Sequence, residues 1–154
     1  MNHFHLENLI TIKLYDIINA HMDISDKKDK FISTQRELLR RLCICVKCTT
    51  DDWIAIVIYL DRLSSIELKS FLQKSNYQYI LLVLVILYLK MYDDTYYDNS
   101  FYSQWTSSDL MVLNLTEERL FKCFPLLITS DQFSQKMAEL AGDQGDLGPQ
   151  VSVI

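Results

Sequence analysis

The chain has 154 residues, a one-domain length, and 49% of them are apolar, enough for one ordinary hydrophobic core. Its net charge of −5 argues against a nucleic-acid role, since a binder of phosphate backbones normally carries a basic stripe. Three Gly and two Pro leave few turn-forming residues, which disfavours sandwiches and barrels and predicts long helices joined by short polar loops.

In chain order, Leu6, Leu9, Ile10, Leu14, Ile17 and Ile18 recur at helical spacing and predict an amphipathic helix over about Leu6–Met22. Asp23–Lys30 reads as a charged loop, in which Lys27, Lys28 and Lys30 alternate with Asp26 and Asp29 as a solvated cluster. A second helix is expected around Thr34–Lys47, with Leu38, Leu42 and Cys45 inward. Thr49, Thr50, Asp51 and Asp52 supply capping groups for a third, Asp51–Ser64, whose β-branched run is read as helix because of its length and its cap. Ser65–Lys74 is a connector. Asn76–Tyr92 is the central element: Ile80–Leu89 is apolar on every face, so other helices must surround it. That run is about half of the roughly 20 residues that span a bilayer, so no membrane role is expected.

After an acidic, Tyr-rich turn at Asp93–Asn99, a short helix is expected around Ser100–Trp105. A longer one follows, capped by Thr106 and ended near Phe124 by Pro125. The last is expected over Ser130–Ala141, closed by Gly142. The organisation expected is thus an N-terminal helix and loop over 1–30, a helical domain over 31–142 and a disordered tail over 143–154.

No catalytic motif emerges: there is no Gly-rich phosphate loop and no nucleophile elbow, so an enzyme is not expected. His3 and His5 are read as part of a frayed terminus. Cys43, Cys45 and Cys48 resemble a zinc cluster, but on a helix the first two point about 200° apart and cannot converge on one ion, so no metal or cofactor is expected. The absence of a disulfide-framework spacing points to a reducing compartment, the cytoplasm or nucleus. His3, Glu7 and Asn8 interrupt any early apolar run, so no secretory signal is expected.

Three charges fall where the helical pattern calls for apolar residues. Glu117 is in phase with Leu110, Leu113, Leu120, Phe121 and Phe124; Lys90 lies one residue past the all-apolar run; Asp61 is in phase with Ile54, Val57 and Ile58. A buried charge needs a partner. Either these pair internally, for example Arg41 or Arg62 with Asp61, or Lys90 and Glu117 line a groove that takes a partner's backbone.

These charges also fall on a family pattern. The segment Arg41–Leu63, RLCICVKCTTDDWIAIVIYLDRL, the run LKMYDDTYYDN ending at Asn99, and Leu113-Asn114 followed by Glu117 resemble ordered landmarks of the cyclin box. The likeness is greatest to the small single-box P/U-type cyclins, and it covers about Phe31–Ala141.

The resemblance implies an all-α fold: a five-helix bundle around a central buried helix, with an added N-terminal helix and a sixth C-terminal helix. It implies a non-catalytic regulatory subunit, monomeric alone and heterodimeric with a cyclin-dependent protein kinase whose αC helix it docks; an adaptor that does not activate a kinase is the alternative. By match, Lys90 and Glu117 hydrogen-bond the kinase backbone, and Met91, Phe121 and Ile128 line the docking groove. Arg41 and Asp61 match a structural ion pair between the first two box helices. Tyr88 and Leu89 stand where the family usually has small residues, and larger side chains there are expected to fill or reshape the groove. Thr106-Ser107 replaces the family's Gly-Gly.

Overall fold

A computed structural model describes residues 2–70, 72–93 and 96–147, with side chains through Gly142. Among these the chain is all-helical, with seven α-helices: α1 (His3–Asn19), α2 (Lys28–Cys45), α3 (Thr50–Leu63), α4 (Ile80–Tyr92), α5 (Asn99–Thr106), α6 (Leu110–Cys123) and α7 (Ser130–Leu147). Short 3₁₀ turns at Ser25–Lys27, Leu68–Ser70 and Tyr77–Tyr79 serve the connections.

Five of the seven α-helices start where side chains can take the orphan N–H groups of a first turn; α2 and α4 have no such cap. Asn2 Oδ1 accepts the His5 N–H, Asp98 that of Phe101, and Asp109 that of Val112. Thr49 and Asp52 form a reciprocal capping box on α3, with the Thr49 N–H donating to Asp52 Oδ2 at 2.7 Å. Thr129 and Gln132 exchange the same pair of bonds at the start of α7, at 2.9 and 3.1 Å.

α4 is the centre. Every residue from Ile80 to Leu87, and Leu89 beyond them, is buried. α3 and α6 pack on it, α1 packs on α3 and α2, α5 on α6, and α7 on α3. The expected enclosure of an all-apolar helix is therefore what the fold achieves, and α1 shares in the same core through Leu6, Ile10, Leu14 and Ile18.

Several boundaries differ from expectation. α2 begins at Lys28, not Thr34, because Phe31 and Gln35 are buried in line with Leu39 and Leu42. Of the expected inward residues, Leu42 is buried, Leu38 is half-buried and Cys45 turns out to solvent. Thr106 does not cap α6; it is the last residue of α5. Ser107 follows in the left-handed conformation (φ 55°), its N–H returns to the Gln104 carbonyl, and the Ser108 N–H reaches the Ser103 carbonyl at 2.9 Å. That is a Schellman ending, and Asp109 then starts α6. Gly142 does not close α7, which runs through it to Leu147. The helix thus takes up 143–147 of the expected disordered tail, and the remainder of that tail lies outside the described residues.

A left-handed Ser carries a Cβ clash that Gly does not. Ser107→Gly is expected to raise stability by about 0.5–1 kcal/mol, the relieved strain exceeding the added unfolded-state freedom. Urea denaturation of the two proteins checks this.

Candidate functional site

The charges that the core pattern could not absorb meet between α4, α5 and α6. Lys90, in the last turn of α4, donates from Nζ to Glu117 Oε2 at 2.8 Å and to Asn99 Oδ1 at 3.0 Å. Asn99 Nδ2 donates to Glu117 Oε1 at 2.9 Å and to Asn114 Oδ1 at 2.7 Å. Asn99 is almost wholly buried, so this network ties three helices together while its outer edge reaches solvent. Both carboxylate oxygens of Glu117 are engaged. Each still holds lone-pair capacity, and Lys90 keeps one of its three N–H donors.

Beside the pair lies a groove of about 390 Å3, lined by Leu87, Lys90, Met91, Glu117, Glu118, Phe121 and Leu126. Its floor is apolar: Leu87 and Leu126 are buried, whereas Phe121 is 63% exposed and Met91 48%. Phe121 thus stands at the edge of an apolar groove with most of its ring in water.

The far wall is the extended segment after α6, and side chains hold its backbone. Arg62 donates to the Pro125 carbonyl at 2.7 Å, and Tyr59 Oη to the Leu126 carbonyl at 2.7 Å. Tyr92 Oη accepts the Ile128 N–H at 2.7 Å. Peptide groups with no ladder of their own are thus satisfied, and the wall is fixed in place.

Four of the expected docking residues, Lys90, Glu117, Met91 and Phe121, come together on this groove. Ile128 does not: it lines an adjoining cavity of about 370 Å3 with Ala55, Tyr88, Tyr92 and Phe133. Tyr88 does not fill the main groove. Its hydroxyl donates to Asp52 Oδ1 at 2.9 Å and its ring meets Tyr59 edge-on, so it leans on the start of α3. Leu89 is buried in the core. The groove residues missed by sequence reading are Leu87, Glu118 and Leu126.

The expected Arg41–Asp61 pair is not formed, nor an Arg62–Asp61 pair. Asp61 takes Lys13 of α1 and Lys136 of α7, each at 2.6 Å, and so clamps α1, α3 and α7. Arg41 sits on the face of α2 that meets α5, where it stacks over the Trp105 ring at 4.6 Å and donates to the Trp105 carbonyl at 3.0 Å. Burial alone would raise the Asp61 carboxyl; hydrogen bonds from Lys13 and Lys136 outweigh it and hold the group below the usual carboxylate range.

Cys45 is exposed, Cys43 half-buried and Cys48 buried, with the Cys48 thiol pushed up to about 12 by burial and the nearby Asp52 charge. No group of three metal-ligating side chains is gathered among the described residues. His3 is not frayed: it opens α1 and its ring lies 3.7 Å from Cys43 Sγ and 3.4 Å from Thr50 Oγ1. No described helix is long and apolar enough to cross a membrane.

The cyclin family model matches residues 16–124. The chain therefore belongs to the cyclin family, a family of regulatory rather than catalytic proteins. No curated protein and no solved structure matches it.

Two consequences can be measured. Asn99→Ala removes a nearly buried amide that bridges a half-exposed ion pair and is expected to cost about 1–3 kcal/mol of stability, read by denaturant unfolding. Asp61 has a lowered pKa in the folded state, so its contribution is complete above the unfolded carboxylate pKa and is lost as pH falls through the folded value. Asp61→Asn is accordingly expected to lower stability at neutral pH by about 1 kcal/mol and to flatten its decline in acid, checked by melting temperature against pH.

Proposed function

We propose that this chain is a regulatory subunit of a cyclin-dependent protein kinase, of the P/U-type, acting in the cytoplasm or nucleus. It docks the kinase αC helix in the groove between α4 and α6. The observation that carries this reading is the open apolar groove with an exposed Phe121 at one edge and the Lys90–Glu117 pair at the other.

Helix-in-groove recognition uses a few apolar anchors for affinity and a few polar groups for register. Phe121, Met91 and Leu87 supply the first. Lys90, with its spare N–H, and Glu117, with its spare lone pairs, supply the second without dismantling their own network. Holding αC inward lets its Glu meet the kinase's strand Lys, which orients the ATP phosphates. Activation is then selection of one of two kinase conformations by differential affinity.

A second reading, a cyclin-fold adaptor that does not activate a kinase, draws on a different observation. The polar groups of Lys90 and Glu117 are already bonded within the chain, so they need no partner in order to be buried stably.

The two readings separate when the purified chain is mixed with cyclin-dependent kinases from the same cell and assayed for complex formation and phosphotransfer. The first predicts both. Lys90→Ala, which leaves Glu117 without its cation at the interface, is expected to weaken binding by about 2–5 kcal/mol. Phe121→Ala, on an exposed side chain whose loss leaves the fold intact, is expected to cost at least tenfold in affinity, about 1.4 kcal/mol. Binding without phosphotransfer assigns the adaptor; undiminished binding by both variants removes the groove from either account.

A further inference from the structure

Cys43 and His3 are 40 residues apart in the chain and meet in the fold. His3 Nδ1 lies 3.7 Å from Cys43 Sγ, and His3 Nε2 lies 3.4 Å from Thr50 Oγ1. With Nε2–H donating to the Thr50 hydroxyl, Nδ1 carries the ring's lone pair and faces the thiol. A sulfur, a base and a group that orients the base are thus brought together. Cys43 and His3 are each half-buried, so a small solute reaches them. Burial raises the Cys43 thiol. The sulfur is protonated at rest and needs a base before it can act as a nucleophile.

A second observation is independent of the His. Two buried donors beside these sulfurs have nothing to bond. The indole N–H of Trp53 is wholly enclosed and lies by the Cys43 sulfur, near enough to lower its pKa, yet it makes no full hydrogen bond. The Tyr102 hydroxyl, on a residue 1% exposed, is likewise unpaired and lies by Cys48. A thiol sulfur is a weak acceptor, whereas an oxygen added to it is a strong one. Buried donors without acceptors cost free energy.

Cys48 is the second thiol of the site. Its N–H donates to the Leu42 carbonyl at 3.3 Å. With standard peptide dimensions that bond leaves the Cα atoms of Cys43 and Cys48 at most about 7.5 Å apart. Disulfides span about 4.4–6.8 Å between Cα atoms. Between the two, Lys47 takes the left-handed conformation (φ 60°) and folds the chain back on the end of α2. The Cys43 charge is among the causes that raise the Cys48 thiol, as expected of neighbours. Cys45 and Cys123 are the exposed thiols, and Cys123 Sγ is bonded to the Arg119 carbonyl of its own helix.

We propose that Cys43 is a modification site for hydroperoxides, with Cys48 as the thiol that resolves the product. The Cys43 sulfur attacks one oxygen of the peroxide, and the S–O bond forms as the O–O bond breaks. His3 Nδ1 takes the thiol proton and passes it to the departing oxygen, which leaves as water or an alcohol. Sulfur loses two electrons and the peroxide gains them, giving a sulfenic acid. Its oxygen accepts the Trp53 N–H. The Cys48 sulfur then attacks the Cys43 sulfur, the S–O bond breaks, and the hydroxyl leaves as water with the Cys48 proton. The disulfide ties the end of α2 to the residue that leads into the α3 cap, and a thiol reductant reverses it.

The test treats the full chain with a small molar excess of hydrogen peroxide. Trypsin cuts after Lys47, so a Cys43–Cys48 disulfide is read as two joined peptides that a reductant separates. That product is expected in the wild type. In Cys48→Ser the sulfenic acid persists, and dimedone should label Cys43 ahead of the more exposed Cys45 and Cys123. His3→Gln in that background should slow the labelling about tenfold, with circular dichroism reporting that the helices remain. A disulfide through Cys45 or between chains overturns the proposal. So does labelling of Cys45 or Cys123 as fast as Cys43, a comparison that needs no change in α1, and so does an unchanged rate in His3→Gln.

Discussion

Burial of α4 is the constraint from which the rest of the molecule follows. A helix with no polar face cannot sit on a surface. Nine of its thirteen residues are buried, and each buried Leu, Ile or Val is worth about 1.5–3 kcal/mol of transfer free energy. α3 and α6 must lie against it, and α1, α5 and α7 stack outside them. The same enclosure fixes the site. Lys90 comes within one turn of the end of α4, at the point where the surrounding helices stop and water begins. It can be held by core neighbours and still face a partner.

The polar network at that end explains how charges tolerate a half-dry position. Asn99 donates to Glu117 and accepts from Lys90, so neither charge depends wholly on the other. Pairing, hydrogen bonding and partial exposure together offset the desolvation that makes buried ions costly. An amide bridging two charges also sets their spacing. The Lys90–Glu117 geometry is thereby preorganised, and a partner's backbone meets groups that need little rearrangement.

Much of this was legible in the sequence, for identifiable reasons. The all-apolar run and the capping residues Thr49 and Asp52 are one-dimensional signals with one structural meaning each, and Lys90 and Glu117 are marked by breaking the apolar pattern, whereas the caps Asp98 and Asp109 were not picked out and α6 was expected to start from Thr106. Leu87 and Leu126 were not readable as groove residues. A Leu inside a uniformly apolar run has no phase, and Leu126 belongs to an irregular segment whose path is set by Tyr59, Arg62 and Tyr92 from distant positions. The start of α2 was hidden for a related reason: its first turn is nearly all charged, and only the burial of Phe31 against Tyr15 and Tyr77 shows that it is helical.

Arg41 and Asp61 show where family resemblance and local physics part. The resemblance joins them; in this chain α1 supplies Lys13 and α7 supplies Lys136, and two flexible ammonium groups at 2.6 Å satisfy Asp61 without Arg41. Arg41 is then free for a task that Lys would do less well, stacking its planar guanidinium on Trp105 while donating to that residue's carbonyl. The exchange has a structural consequence. With Asp61 as the node, α1 and α7 are clamped to the bundle through α3, so the elements outside the five-helix box are held by the charge that in the family pattern would serve the box alone. Arg41, turned the other way, closes the end of α5, next to the left-handed Ser107 where the chain must turn into α6. One substitution of partners thus stabilises both the added helices and the turn that delivers Glu117 to its place beside Lys90.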